Sequence, residues 1–232
     1  MKRIREEAAQ SPNQLVISLD AKATVKVGEF SRHGTSRVPV KALDHDHNPD
    51  AKVTPYGILL PDHDELSIVV NTSKVTSDFI VDTLDDWWTQ NRSRFPEVDT
   101  LVLLQDNGPE NSGRRTQFLH RIVQFADERQ INIKLAYYPP YHSKYNPVER
   151  CWGILEQHWN GALLDCVHAI TGFAQSMTWK QKNPIVRLTS RIYQAGVRLS
   201  KKAMKAVEQR LSRLPQLPSW FIDIQCRPPY PG

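Results

Sequence analysis

The sequence contains few cysteines and no long apolar run. Its three cysteines, Cys151, Cys166 and Cys226, are far apart and form no CxxC pair, which argues against a zinc finger and against a secreted disulfide framework. No stretch approaches the ~20 apolar residues of a membrane-spanning helix. Charged residues occupy the start, from Met1 to Glu7, where a signal peptide is apolar. These absences predict a soluble cytoplasmic protein without a membrane partner.

Two kinds of catalytic motif are also missing. No glycine-rich phosphate loop is present, so ATP use is not indicated, and no motif marks a serine, tyrosine or histidine nucleophile. The composition is otherwise that of a globular protein, with 40% hydrophobic and 24% charged residues. A chain of 232 residues buries roughly three quarters of its unfolded surface, so its core needs no disulfide or structural metal.

The net charge of +5 is unevenly distributed along the chain. The segment 180–213 contains a single acid, Glu208, and ten basic residues: Lys180, Lys182, Arg187, Arg191, Arg198, Lys201, Lys202, Lys205, Arg210 and Arg213. Such a run is either a solvated helix face or a surface that binds phosphate groups. Position in the sequence does not decide between these two interpretations.

Apolar periodicity predicts strands and helices that alternate along one domain. The expected strands are 15–20, 23–27, 67–71, 101–104 and 131–137. The expected helices follow Thr76 or Ser77, cover 118–126, follow Asn146-Pro147 and fill most of the chain from Gly161 to Leu214. The segment 41–65 is rich in Asp, His and Pro and is predicted to be irregular. This order predicts an α/β fold in which helices flank a mixed five-stranded sheet.

Three carboxylates follow strands of this predicted sheet. Asp20 ends the first strand, Asp106 ends the fourth, and Glu149 begins the helix after the fifth. If the first and fourth strands are neighbours, the three side chains converge. Such a cluster repels itself and is stabilised by hard cations, so Mg²⁺ or Mn²⁺, as a pair ~4 Å apart, would suit it. Singly, each acid has a structural alternative: a turn residue, or for Glu149 a capping partner of Asn146.

The sequence around these three acids resembles that of a known family. The stretch from Tyr138 to Trp152, which contains Asn146-Pro147-Val148-Glu149, is similar to the third-acid segment of DDE transposases, including the mariner-like group. Leu103 to Gly108 resembles the second-acid segment and Ser18 to Lys22 the first. Pro55-Tyr56-Gly57-Ile58 and Asp86-Trp87-Trp88 resemble the Rhodopirellula-type, or ISAzo-group, insertion-sequence transposases.

The resemblance extends from about Leu15 to Ile224 and implies a ribonuclease-H-like fold. It implies that Asp20, Asp106 and Glu149 are the catalytic triad and hold two Mg²⁺ or Mn²⁺ ions for DNA cleavage and strand transfer. The expected partners are double-stranded DNA of the element ends and target, and a second copy in a homodimer on that DNA, in the nucleoid. The expected organisation is a lead-in at 1–14, a catalytic domain at 15–162 and a basic helical extension at 163–232.

Relatives carry a helical DNA-binding segment ahead of the first acid, and 19 residues precede Asp20 here. The resemblance therefore predicts a catalytic domain or a truncated copy. Two other functions stay open: a nuclease or resolvase of the same fold that does not join ends, and a decayed DNA-binding remnant.

Several other residues are candidates for binding. The predicted DNA contacts are His142, Lys144, Arg198, Lys201, Lys202 and Lys205. The tyrosines at 137, 138, 141 and 145 either stack on bases or pack the proline-rich loop. Residues 44–50 imitate the start of an EF-hand, but Pro49 and Pro55 occupy its glycine and bidentate glutamate places, which favours a polar loop. Trp152 and Trp159 are expected in the core.

Overall fold

The computed structural model describes residues 2–31, 41–42, 49–139 and 145–228. Its helices are α1 (Lys2–Ala9), α2 (Ser77–Asn91), α3 (Thr116–Arg129), α4 (Glu149–His158), α5 (Val167–Ser176) and α6 (Lys201–Glu208). Its strands are β1 (Gln14–Ala21), β2 (Val25–Val27), β3 (Ala51–Leu60), β4 (Glu65–Asn71), β5 (Thr100–Gln105), β6 (Asn132–Tyr137), β7 (Ile185–Thr189), β8 (Leu211–Arg213) and β9 (Phe221–Ile224). In the described residues no helix is long and apolar enough to cross a membrane.

The strands form one mixed sheet in the order β7-β4-β3-β1-β5-β6-β9-β8, and β2 pairs with β3 beside this path. β1, β5 and β6 are parallel neighbours, whereas β3 is antiparallel to both β1 and β4. The parallel strands at the centre are buried on both faces, which explains the continuous apolar runs in β1 and β5. The α/β expectation is therefore confirmed.

Helices cover both faces of the sheet. α2 and α3 pack over one face, where Leu15, Ile17 and Leu19 of β1 point into the larger core. α4 and α5 cover the other face and bury Trp152 and Trp159 against β3 and β4. Because side chains alternate along a strand, the even-numbered residues of β1, including Ser18 and Asp20, lie on the α4 side.

The expectation of an irregular segment at 41–65 is wrong for β3. Pro55 and Gly57 disfavour a central strand, since proline lacks the N–H of a ladder hydrogen bond. In the pairing of β3 with β1, Pro55 lies one residue beyond the end of β1, because Tyr56 opposes Ala21, the last residue of β1. The Pro55 carbonyl still accepts a hydrogen bond from the Lys22 N–H at 2.8 Å. The missing donor therefore falls where the ladder with β1 has ended.

The expectations of five strands and a helical extension also need correction, because the chain beyond 163 adds three strands. β7 pairs in parallel with β4 at one edge of the sheet, and β9 and β8 extend the other edge next to β6. The Phe221–Ile224 strand alternates buried and less buried residues over four positions. Segments this short carry too little periodicity to predict, and the sheet edges that they complete are distant in the sequence.

Candidate active site

Asp20 and Asp106 lie side by side at the carboxyl end of the central strands. The parallel register of β1 and β5 runs from Gln14 opposite Thr100 to Ser18 opposite Leu104. Asp20 and Asp106 are each two residues beyond this last pair, so they stand level on neighbouring strands. The sequence-based expectation that the first and fourth predicted strands are adjacent is confirmed.

Helix α4 brings Glu149 to the same edge because Gly57 lets it approach the sheet. Gly57 lies opposite Asp20 in the β1–β3 ladder. A Cβ atom on Gly57 would be 2.6 Å from Val148 Cγ2 and 2.8 Å from Trp152 Cζ2. The first turn of α4 therefore packs directly on the backbone of β3, which fixes the height of Glu149 above Asp20.

Asn146 connects the segment before α4 to β1. It is fully buried, and its Oδ1 accepts a hydrogen bond from Ser18 Oγ at 2.5 Å while its Nδ2 donates to the Leu19 carbonyl at 2.9 Å. Ser18 Oγ also accepts the Val148 N–H at 3.1 Å. The predicted helix cap at Asn146 is wrong, since α4 begins at Glu149 and Val148 occupies the cap position without a side-chain bond. The amide is used instead to attach the loop to the strand that carries Asp20.

Trp152 contacts Asp20 directly. Its indole Nε1 donates a hydrogen bond to Asp20 Oδ2 at 2.7 Å. The side chain is buried, as expected for a core residue, yet its polar edge faces the carboxylate. Sequence reasoning missed this second role, and the spacing of Glu149 and Trp152, one helical turn apart, was the available signal.

The three acids are electrostatically coupled. Burial of Asp20, then the nearby negative charges of Glu149 and Asp106, raise the pKa of Asp20 to about 8, although the hydrogen bond from Trp152 lowers it. A carboxylate whose ionisation is opposed by burial and two like charges is typical of a site that a cation completes.

Asp106 opens a loop that its own hydrogen bonds organise. Asn111 Nδ2 donates to Asp106 Oδ1 at 3.2 Å, and the Asn111 carbonyl accepts a hydrogen bond from Tyr137 Oη at 2.8 Å. Asn107 Oδ1 accepts the Gly113 N–H at 3.1 Å. The segment Asp106-Asn107-Gly108 is therefore a turn, as its composition indicates. The turn also presents the Asp106 carboxylate at the edge of the sheet.

An ion pair between a buried lysine and an exposed glutamate lies on the next turn of α4. Lys22, two residues after Asp20, is 7% exposed and pairs with Glu156, and its ammonium group lies 5.4 Å from the centre of the Trp159 ring. Trp159 Nε1 donates to Glu156 Oε2 at 2.7 Å. This contact, together with Asn146 and Trp152, fixes α4 to β1 over two turns.

The donor set fits divalent metal ions. The converging groups are carboxylate oxygens, which are the ligands that Mg²⁺ and Mn²⁺ prefer. Among the described residues no group of three or more His, Cys, Asp or Glu side chains is gathered tightly enough to hold one ion.

The basic segment divides into two parts. Five of its members contact residues outside the segment: Lys180 with Asp64, Lys182 with the His63 carbonyl, Arg191 with Asp82 and Asp86, Arg210 with Asp127, and Arg213 with the Gly113 carbonyl. Arg187 is exposed on the edge strand β7. The four predicted DNA contacts Arg198, Lys201, Lys202 and Lys205 are exposed. They lie on and before α6, whose Val207 packs on the core.

This exposed basic face lies near the acid edge. The Leu199 N–H donates to Thr116 Oγ1 at 3.2 Å, and Thr116 begins α3 directly after the loop that Asp106 opens. Ser200 caps α6 by accepting the Ala203 N–H. Two other predicted contacts, His142 and Lys144, and residues 44–48 of the imitation EF-hand lie outside the described residues.

Comparison with known proteins decides the family. The model of the Rhodopirellula transposase DDE domain matches residues 2–226. The chain belongs to this family. The expected resemblance is thus confirmed over nearly the whole sequence, and the chain is a transposase DDE domain. A comparison with curated proteins found no match.

One solved structure supports the fold, and others were found at lower TM-scores. The Mos1 transposase paired-end complex with left transposon end is similar with a TM-score of 0.52 and 9% identity, covering 74% of this chain and 50% of that chain. A Mos1 mariner paired end complex with Mn has a TM-score of 0.46 and 9% sequence identity, and the match covers 74% of this chain and 50% of that chain. The human cytomegalovirus terminase nuclease domain has a TM-score of 0.28 and 10% sequence identity, and the match covers 90% of this chain and 83% of that chain. The DDE domain thus spans half the length of the Mos1 chain, and the ribonuclease-H-like expectation is confirmed.

Proposed function

We propose that this DDE domain cleaves DNA strands and joins the freed ends to target DNA, using Asp20, Asp106 and Glu149. The observation that carries the proposal is the electrostatic coupling of these three acids at the carboxyl edge of β1 and β5. Their convergence favours a shared role over three separate turn or capping residues, because a fold gains no stability from placing two further carboxylates beside the buried Asp20.

Each acid has a distinct place in this proposal. Asp20 would be the ligand shared by two Mg²⁺ or Mn²⁺ ions, and Asp106 and Glu149 would each complete the ligand set of one of them. Bound ions of this kind activate an attacking oxygen and stabilise the leaving oxygen of a phosphodiester. The attacking oxygen belongs to water in cleavage and to a 3′-hydroxyl in strand transfer.

The surrounding side chains hold the acids in position. The Trp152 indole N–H and the Asn111 amide, both neutral donors, orient the carboxyl groups of Asp20 and Asp106. Asn146 and the Lys22–Glu156 pair prevent α4 from sliding along β1. Fixed ligands of this kind lower the reorganisation needed when phosphate arrives.

DNA binding is assigned to Arg198, Lys201, Lys202 and Lys205, which are exposed near the start of α3. They would contact phosphates of duplex DNA without reading bases. Each neutralised phosphate contributes about 0.9 to the slope of log affinity against log salt, so changing all four to alanine should reduce the slope by up to about 3.6. An unchanged slope would make this surface a solvated helix face.

The test of the catalytic proposal offers supercoiled plasmid and a pre-cut DNA end to the protein with Mg²⁺ or Mn²⁺. Asp20→Asn, Asp106→Asn and Glu149→Gln should each reduce cleavage by about 1000-fold or more, since ion-held charge stabilisation contributes several kcal/mol. Asp85→Asn is the matched control, because Asp85 pairs with Arg129 on the helical face. Full cutting by the Glu149→Gln protein would refute its catalytic role. Cleavage without joined products would favour the nuclease alternative.

A further inference from the structure

A groove of ≈940 Å³ begins at Ala21, the residue after Asp20. Its polar wall consists of residues from three neighbouring segments of the sheet: Thr24, Lys52, Thr54, Thr72, Ser73 and Lys74. Its other wall includes Val75 and the segment that leads from Ile192 toward Arg198. The groove therefore adjoins the acid edge and leads toward the basic face of α6.

The polar wall carries uncompensated positive charge. Lys52 and Lys74 are exposed, and neither forms an ion pair with a described residue. The third lysine of the groove, Lys22, is already paired with Glu156. No Asp or Glu is among the described residues that line the groove. A ligand of complementary charge is therefore an anion that contacts two separated lysines.

Hydroxyl groups on the same wall have hydrogen atoms to donate. Thr24 Oγ1 and Thr54 Oγ1 lie 3.0 Å apart, so one hydroxyl donates to the other and the second keeps its hydrogen. Ser73 Oγ accepts the Tyr193 N–H at 3.1 Å, which leaves its own O–H available. Phosphate oxygens accept such bonds, and lysines flanked by hydroxyls are a common way to position a nucleic acid backbone.

The opposite wall is apolar, and this feature distinguishes a single strand from a duplex. Ile192 is 92% exposed, although burial of such a side chain is favourable, and Val75 lies beside it in the groove. A single strand offers unstacked base faces to an apolar wall, whereas the bases of a duplex are paired and stacked inside it.

We infer that this groove binds one strand of DNA as it leaves the acid edge, with its phosphates on Lys52, Lys74 and the hydroxyls and its bases toward Ile192. The inference rests on the proposed transposase function for the identity of the polymer. It assigns a strand path that is separate from the duplex contacts of α6.

The experiment measures binding of a labelled oligothymidylate by fluorescence anisotropy in EDTA at several salt concentrations. Two phosphate contacts to a single strand contribute about 1.4 to the salt slope, so Lys52→Ala/Lys74→Ala should weaken binding about 25-fold at 0.1 M salt. The control is Lys180→Ala/Lys182→Ala, which removes the same charge at the β3–β4 turn, at the opposite end of the sheet. The control should bind as the unchanged protein does.

If both double variants bound oligothymidylate equally weakly, net charge would explain the effect, and the inference would be overturned. An unchanged salt slope in Lys52→Ala/Lys74→Ala would overturn it as well. Equal weakening on blunt duplex DNA would overturn the single-strand assignment. Because EDTA removes metal-dependent cleavage from the readout, this binding measurement is independent of the plasmid test. A loss of cutting in the plasmid test therefore reports on the proposed function alone.

Discussion

Two sets of carboxylates in this protein have different neighbours. On the helical face, Asp78 and Asp82 both bind Arg121, at 2.8 and 2.7 Å, and Asp127 binds Arg210 at 2.7 Å. At the strand ends, Asp20 accepts a hydrogen bond from an indole and Asp106 from an amide. The fold itself supplies a cation to the first set, whereas the second set contacts neutral donors and lacks such a partner among these contacts.

The difference teaches how to separate structural from functional acids. Arginine pairing satisfies a carboxylate and ties two elements together, as it does between α2 and α3. Neutral donors orient a carboxylate without cancelling its charge, which is what a metal ligand needs. Substitutions that disturb orientation at the strand ends, or pairing on the helical face, test this distinction.

Gly57→Ala should have the largest effect on the acid edge. The new Cβ would overlap Val148 and Trp152, so α4 must shift and carry Glu149 with it. We expect cleavage to fall about 100-fold, the effect of roughly 1 Å of misplacement, and unfolding to be easier by about 1–3 kcal/mol.

The matched control for Gly57→Ala is Gly153→Ala on α4, where an added Cβ meets nothing within 4 Å. That protein should keep full activity and gain up to about 1 kcal/mol, because alanine favours a helix over glycine. Comparable activity in the two variants would show that the close approach at Gly57 does not position Glu149.

Trp152→Phe should have an intermediate effect. The substitution keeps an aromatic ring in the core but removes the N–H that orients Asp20. Outer partners of metal ligands typically contribute 10- to 100-fold, so Mn²⁺ affinity and cleavage should both fall by at least about tenfold. Trp159→Phe, which loses a bond to Glu156 instead, should leave Mn²⁺ affinity nearly unchanged in a calorimetric titration. Equal losses in the two proteins would make Trp152 a packing residue.

Asp127→Asn should have the smallest effect on function and a measurable one on stability. The hydrogen bond from Arg210 is the main cause that lowers the pKa of Asp127. A lowered folded pKa contributes stability above the unfolded value of about 3.9, and this contribution is lost as the pH falls through the folded pKa.

The Asp127→Asn protein should therefore unfold about 1–2 kcal/mol more easily at pH 7, and its difference from the unchanged protein should shrink below about pH 4. Urea unfolding at several pH values measures this. Glu208→Gln, at a more exposed pair, should cost less than about 0.5 kcal/mol. A pH-independent difference at Asp127 would show that its charge is not what stabilises α6 on α3.

The sequence predicts the strand-end acids well because each one follows an apolar run that is itself local. Asp20 is the last residue but one of β1, and Asp106 directly follows β5, within one residue of the expected strand ends. Thr76 caps α2 as expected, and its Oγ1 accepts the Phe79 N–H at 3.2 Å. The helix cap at Asn146 was also predicted from the local sequence. That prediction is wrong, because the Asn146 side chain binds Ser18 and Leu19, over 120 residues away in the sequence.

Long-range contacts explain the other misses. Pro55 and Gly57 make the segment of β3 look irregular in the sequence. The structure accommodates Pro55 because β1 ends there, and it uses Gly57 for the close approach of α4. Neither partner is visible in the local pattern. The role of Trp152 depends on the same packing of α4. The catalytic roles of Asp20, Asp106 and Glu149 remain predictions that chemistry must test.

The most direct test of the account is Mn²⁺-dependent thermal stabilisation of the whole chain. A ligand that binds the folded state raises Tm with its concentration, so the unchanged protein and Asp85→Asn should show the same saturable rise. Asp20→Asn/Asp106→Asn/Glu149→Gln should show none, and it should be at least as stable as the unchanged protein without metal, because the repelling charges are gone. An equal Mn²⁺-dependent rise in the triple variant would contradict the claim that these three acids form the metal site.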